Sequence, residues 1–451
     1  MFKYILFVLL IGISGCKKFV EIPPSPLTVE SSILFKDGEA ATAAVTGLYA
    51  QAIAGNLVLL NAGVTLYSGL SSDELYNTAA NTNADQFQKN KILPTSSIVN
   101  TNLWSHAYRF IYHSNAILEG LALSKQLPAA LRDELTGEMK FVRAFYYFYL
   151  VNLFGDVPLV VSTDYAVNAT MARTPSTQIY DQIIADLRDA KMKMRDSYAS
   201  AGKVRPNTFT ASALLARVYL YLQRWADAEA EASTVIASNN YKLLTDLNAV
   251  FLNNSDETIW QVVRDNNNTA DGSTFVPSSS TARPAYALTD TILKSFNGGD
   301  KRFANWVRTN VASSVSYRYP YKYKQRTTTP ATESEVIFRY AEQFLIRSEA
   351  SAMQDKTDIA IDDLNAIRVR AGLAALGYTF TKQQVLDSCE KERKAELFAE
   401  WGHRWLDLKR WNKADAHLKG IKPTWQVTAQ LYPIPFTEIQ RNPFLTPNPG
   451  Y

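Results

Sequence analysis

Residues 138–161 read EMKFVRAFYYFYLVNLFGDVPLVV, and they constrain the fold more than any other stretch. From Met139 to Phe154, apolar and aromatic side chains fall on every side of a helical wheel rather than on one stripe. That is the pattern of a helix enclosed by other elements. A lone guanidinium inside it, Arg143, requires a buried counter-charge, because an unpaired one is costly to bury. Gly155 tolerates the left-handed backbone that ends helices, and Val157 to Val161, β-branched around Pro158, reads as a short strand. The unit predicted is a buried helix, a sharp turn and a strand.

The chain has 451 residues, 47% of them hydrophobic, enough for one large or two ordinary domains with a substantial core. Its net charge is only +4 and no basic block occurs, so no nucleic-acid partner is expected. Aromatic residues make up 12%, including 24 Tyr and 8 Trp. Such side chains serve large helical cores and also sugar-stacking surfaces.

Residues 1–15 combine Lys3, an apolar run from Tyr4 to Ile13 and the small pair Ser14-Gly15, which is the layout of a signal peptide. About ten apolar residues are too few to span a hydrocarbon core of roughly 30 Å. Ile13-Ser14-Gly15-Cys16 looks like a lipobox, with Cys16 as the lipidated first residue of the mature chain. The one other cysteine is Cys389, so no disulfide framework is expected. Residues 16–26 carry Pro23, Pro24 and Pro26 and read as an extended tether.

Helical periodicity marks residues 37–60 and 102–124, and Ser68 to Thr101 between them reads as a long polar loop with Tyr67, Tyr76 and Phe87 scattered near or through it. In Ala213 to Ala237, Leu215, Ala216, Tyr219, Ala228 and Ala232 follow the spacing of a tetratricopeptide helix pair. Residues 341–370 repeat the layout with Leu345, Ser348, Ala360, Leu364 and Ile367. Between the repeats periodicity fades, and Thr258 to Val263 and Tyr317 to Tyr323 read as strands. Tyr317, Tyr319, Tyr321 and Tyr323 alternate, which would place them on one face of an extended segment. Residues 388–412 read as one charged helix carrying Trp401 and Trp405.

Several of these segments together resemble the SusD/RagB family of outer-membrane nutrient-binding lipoproteins. The resemblance is carried by Arg143-Ala144-Phe145, Phe154-Gly155-Asp156-Val157-Pro158-Leu159, the Glu392 to Leu408 helix, Leu431-Tyr432-Pro433-Ile434-Pro435 and the Asn448-Pro449-Gly450-Tyr451 tail. It implies a mainly α fold in which tetratricopeptide-like repeats, about 102–245 and 336–412, scaffold a loop-rich, partly β insertion, about 246–335. A C-terminal extended tail over 421–451 completes a single domain spanning 27–451. It further implies an anchored protein of the outer membrane, facing the exterior, that captures an oligosaccharide or related nutrient for a SusC-like TonB-dependent transporter. Lys17 and Lys18 stand where acidic residues often follow a lipidated cysteine, so the outward orientation rests on the family alone.

Binding residues concentrate on loops held by a rigid scaffold, which singles out Asp73, Tyr76, Asn77, Asn81, Phe87, Trp306 and Tyr317 as ligand candidates. The aromatic members would stack on sugar rings, and the polar ones would bond hydroxyls. Glu396, Glu400 and His403 contain half of a di-metal carboxylate motif, but the second Glu-x-x-His it needs is not found around any of the four histidines. An ion-pair network with Arg393 and Arg404 is the expected role of those residues. The sequence points to no cofactor, no metal and no catalytic set, leaving a helical glycoside hydrolase or lyase, or a repeat-based protein scaffold, as the alternatives to a binding lipoprotein.

Overall fold

Residues 138–154 of that stretch form most of the longest described helix in the computed structural model, which describes residues 34–264 and 267–451. Cys16, the signal sequence and the tether lie outside the described residues. Among those described, nine helices have thirteen residues or more: α1 Gly38–Ala52, α2 His106–Leu123, α3 Ala129–Phe154, α4 Ser176–Lys193, α5 Thr208–Tyr221, α6 Trp225–Ala237, α7 Tyr340–Met353, α8 Thr357–Arg370 and α9 Lys382–Glu396. No described helix is long and apolar enough to cross a membrane.

Every residue of α3 from Phe141 to Val151 is buried, as its all-round apolar surface requires. Gly155 ends the helix at φ +75°. Arg143 finds its counter-charge on the neighbouring helix: Nε and Nη2 donate to the two Asp186 oxygens at 2.8 and 2.7 Å, and Nη1 donates to Asn115 Oδ1 at 2.8 Å. Successive helices then pack side by side, α2 on α3, α3 on α4, α4 on α5, and so on through α6, α7 and α8. The pairs α5–α6 and α7–α8 are the expected repeats. Small residues let their axes approach. Ala213, Ala216, Ala228 and Ala232 are fully buried, and the Ser348 hydroxyl donates to the Ala360 carbonyl at 2.8 Å.

Among the described residues the strands form three antiparallel two-stranded ladders: β1 Leu75–Asn77 with β3 Tyr286–Leu288, β2 Thr258–Val262 with β6 Glu335–Arg339, and β4 Val307–Ala312 with β5 Val315–Pro320. The β2–β6 ladder is buried on both faces, and Trp260 meets Phe141 and Phe145 of α3 edge-on at 4.9 and 5.3 Å. A buried charge cluster stitches this ladder to the repeats. Arg339 donates to Glu400 at 2.7 Å, to Glu396 at 2.6 Å and to Glu257 at 3.0 Å, while Arg370 donates to Glu257 at 2.7 Å. Lys322 and Glu400 pair inside the same cluster. This is the ion-pair role expected for Glu396 and Glu400, although the partners come from distant segments rather than from Arg393 and Arg404.

Four sequence expectations are corrected. Val157 to Val161 makes one isolated bridge, Val157 with Thr174, and no strand. Its polar backbone is satisfied instead by side chains: Tyr108 donates to the Pro158 carbonyl at 2.8 Å, Asn115 to that of Val160 at 3.1 Å, and Val160 N–H donates to Tyr147 Oη at 2.7 Å. Residues 68–101 are no single loop, because they contain the end of the helix Gly63–Ser71, β1, the helix Thr82–Gln88 and the start of a π-helix, Ile98–Ser105. The 388–412 helix is two, α9 and His403–Arg410, separated by left-handed residues at Ala399, Trp401 and Gly402. Finally, β5 ends at Pro320, so the four tyrosines do not share a face: Tyr319 and Tyr323 are buried, Tyr317 and Tyr321 half-buried.

Candidate functional site

Three of the seven ligand candidates belong to the interior. Trp306 is fully buried, its indole N–H donating to the Leu247 carbonyl at 2.9 Å while Lys322 lies 4.8 Å over its ring and Phe251 packs edge-on at 5.8 Å. A stacking platform must offer a ring to solvent, and this one is enclosed. Phe87 is likewise fully buried, stacked on Tyr67 at 4.6 Å. Asp73 is 1% exposed and accepts from Arg404 at 2.7 Å, from the His417 ring at 2.8 Å and from Lys394 at 3.1 Å. Burial alone would raise its carboxyl, but the His417 and Arg404 bonds and the Lys394 charge prevail and hold it well below the usual range. The sequence placed these three in polar loops, and the fold turns them inward.

The other four lie at or near the surface. Asn81 is exposed and caps the helix Thr82–Gln88, its Oδ1 accepting from Asn83 and Ala84 N–H. Asn77 is half-buried and spends its amide on Asp85 at 3.0 Å. Tyr76 and Tyr317 converge from segments 241 positions apart in the chain. β1, carrying Tyr76, pairs with β3, and β3 lies beside β5, carrying Tyr317. Burial pushes the Tyr76 phenol above its usual range, and the neighbouring Tyr317 phenol and Asp290 carboxylate push it the same way.

The strands are held in this relation by bonds along both edges. Thr289 N–H donates to the Glu74 carbonyl at 2.9 Å and Thr78 N–H to that of Ala285 at 3.0 Å, extending the β1–β3 ladder at both ends. On the other side, Asn310 Nδ2 donates to the carbonyls of Ser279 and Ala282 at 2.9 and 3.0 Å, tying the β4–β5 hairpin to the loop before β3.

Asp290 also opens onto an adjoining cavity of 500 Å³, lined further by Leu293, Lys294, Phe296, Asn297, Gly298, Gly299, Asp300, Phe303 and Arg318. Phe303 and Phe296 meet edge-on at 5.7 Å, and Arg318 stands 6.0 Å over the Phe303 ring. Phe303 is 37% exposed, so part of its ring is available for contact. A Cβ at Gly298 or Gly299 would meet nothing, which leaves that rim open. An apolar ring surface flanked by a carboxylate, an ammonium, an amide and a guanidinium suits a molecule with an apolar face and a hydroxyl perimeter. Of the two lining carboxylates, Asp300 is already bonded to Arg302 and caps the helix Lys301–Trp306. Phe303, Arg318 and Asn297 were not singled out by sequence. The one sequence signal there is the Gly298-Gly299 pair, which marks a loop.

Comparison with known proteins agrees with this architecture. Residues 41–220 match a family model described as starch-binding associating with outer membrane, and residues 308–451 match the model of the SusD family. The chain is 26% identical, over its full length and 99% of the relative, to SusD-like protein P2 of Formosa agariphila. It is 25% identical to the starch-binding protein SusD of Bacteroides thetaiotaomicron, over 70% of this chain and 72% of that one. A SusD superfamily crystal structure from Bacteroides vulgatus superposes with a TM-score of 0.83 at 22% identity, covering 92% of this chain and 99% of that one.

Proposed function

The chain belongs to the SusD/RagB family, and from that premise we propose that it binds an oligosaccharide at the face where Tyr76 meets Tyr317, with the adjoining Phe303 pocket holding one sugar unit. The observation that carries this reading is the convergence of two half-exposed tyrosines from distant segments beside an open pocket of mixed aromatic and polar lining. Sugar rings stack through their C–H faces on Tyr317 and Phe303, while Asp290, Lys294, Asn297 and Arg318 bond hydroxyls. A relative that binds starch supports saccharide as the ligand class. The role is capture rather than catalysis: hydrolysis requires two positioned carboxyl groups, and Asp300 is committed to Arg302, leaving Asp290.

In this reading the protein is held at the outer membrane by lipid on Cys16, outside the described residues, and passes its ligand to a SusC-like TonB-dependent transporter. A glycan array probed with the purified protein tests the ligand class. Retention on a set of related oligosaccharides, without release of reducing ends, is the expected result. Reducing sugar appearing over time would favour a hydrolase, and capture of protein with no glycan bound would favour a scaffold.

A further inference from the structure

A second cavity, of 710 Å³, lies where the start of α2, the segment after Gly155 and the C-terminal helix Phe436–Arg441 meet, and it shares no lining residue with the Phe303 pocket. One wall is the end of the π-helix Ile98–Ser105, contributing Trp104, followed by Tyr108 and Arg109 of α2. π-Helical turns are uncommon and recur at functional sites. This one is braced by the Ser105 hydroxyl donating to Asn100 Oδ1 at 3.2 Å. The facing wall is the short helix Tyr165–Asn168.

Three groups lining this cavity have unused binding capacity. Tyr165 is 83% exposed, the most exposed large aromatic among the described residues, so most of its ring is open to contact. Asn168 donates through Nδ2 to the Ser162 carbonyl at 2.9 Å, while its Oδ1 is buried with no hydrogen-bond partner, an acceptor waiting for a hydroxyl. Arg109 is exposed and forms no ion pair among the described residues, whereas Arg441 is occupied by Glu438 at 2.9 Å. Trp104 and Tyr108, 4.9 Å apart, supply apolar surface at the back.

We infer that this cavity is a second saccharide site, selective for an acidic unit such as a uronic acid. The ring stacks on Tyr165, a hydroxyl donates to Asn168 Oδ1 and the carboxylate accepts from Arg109. A neutral sugar would leave the Arg109 charge without a partner, and a simple anion would leave Tyr165 and Asn168 unused.

The test is calorimetric titration of the full chain with trigalacturonate and, in parallel, with neutral maltotriose, at low and at physiological salt. Trigalacturonate is expected to bind, more weakly as salt rises. Tyr165→Ala and Arg109→Gln are each expected to weaken it by about tenfold, with melting curves unchanged because both side chains are exposed. Tyr317→Ala, at the face proposed above, is expected to leave trigalacturonate binding intact, so failure of one site is distinguishable from failure of the other. Absence of trigalacturonate binding, tighter binding of maltotriose at this site, or binding indifferent to both Tyr165→Ala and Arg109→Gln would overturn the inference.

Discussion

Arg143 shows what a single charge contributes to this fold. It is 6% exposed and bonded through three nitrogens to Asp186 and Asn115. Removing one member of such a buried pair leaves the other uncompensated, so Arg143→Ala is expected to destabilise the protein by about 3–5 kcal/mol in chemical denaturation. A loss below about 1 kcal/mol would mean that Asp186 finds another partner. Asp271 and Glu335 present the reverse case, two carboxyl groups buried together with no bond to a cation. Burial is the main cause that pushes Asp271 up to about 6 and Glu335 well above the usual range, and the Asp271 charge raises Glu335 further. Groups whose folded-state value is raised contribute stability below their unfolded value and lose it as pH climbs through the folded one. Wild-type stability should therefore fall, relative to Glu335→Gln, as pH rises from the ordinary carboxylate range toward the raised Glu335 value. Denaturation midpoints of both proteins across that range check this, and a constant gap between them would contradict the shared burial penalty.

At the scale of elements, the break between α9 and His403–Arg410 is set by tertiary contacts rather than local preference. Trp401 donates its indole N–H to the Val336 carbonyl at 2.7 Å and its backbone N–H to Thr65 Oγ1 at 3.1 Å, and these bonds hold the chain out of helical register. Gly402 follows at φ +71°, where a Cβ would lie 2.8 Å from that of Ser68. Gly402→Ala is thus expected to cost at least about 1–2 kcal/mol, read as a lowered melting temperature. An unchanged melt would show that the turn relaxes. The same example explains what was legible in the sequence. Apart from Gly402, residues 388–412 are mostly good helix formers, so periodicity predicts one helix, and the partners that help to break it, Val336 and Thr65, lie far away in the chain. α3 and the α5–α6 and α7–α8 pairs could be read because their burial pattern repeats within a few residues. The near-surface position of Tyr317 could be read because it stands near the tip of a hairpin. Trp306 could not, because five residues from it the chain is exposed at Val311, and only the tertiary packing of Phe251 and Lys322 encloses its ring.

Across the whole molecule, the Arg339 cluster determines how the insertion sits on the repeats. Glu257 and Arg339 come from the neighbourhood of β2 and β6, Arg370 from α8, and Glu396 and Glu400 from the end of α9 and the turn after it. That cluster and the β2–β6 ladder fix one end of the insertion, and the β1–β3 ladder fixes the other, so the Tyr76–Tyr317 face is carried on a braced frame rather than on free loops. Preorganisation of this kind reduces the ordering cost of binding. The proposed site depends most directly on Tyr317, which is half-buried and stands outside the hydrophobic core. Titration calorimetry of the best-retained array oligosaccharide into wild type and Tyr317→Ala, with a thermal melt of each, tests the central claim. The account predicts a loss of about 1–3 kcal/mol in affinity, on the scale of stacking on an aromatic ring, with the melt nearly unchanged. Equal affinity of the two proteins for that oligosaccharide would contradict it.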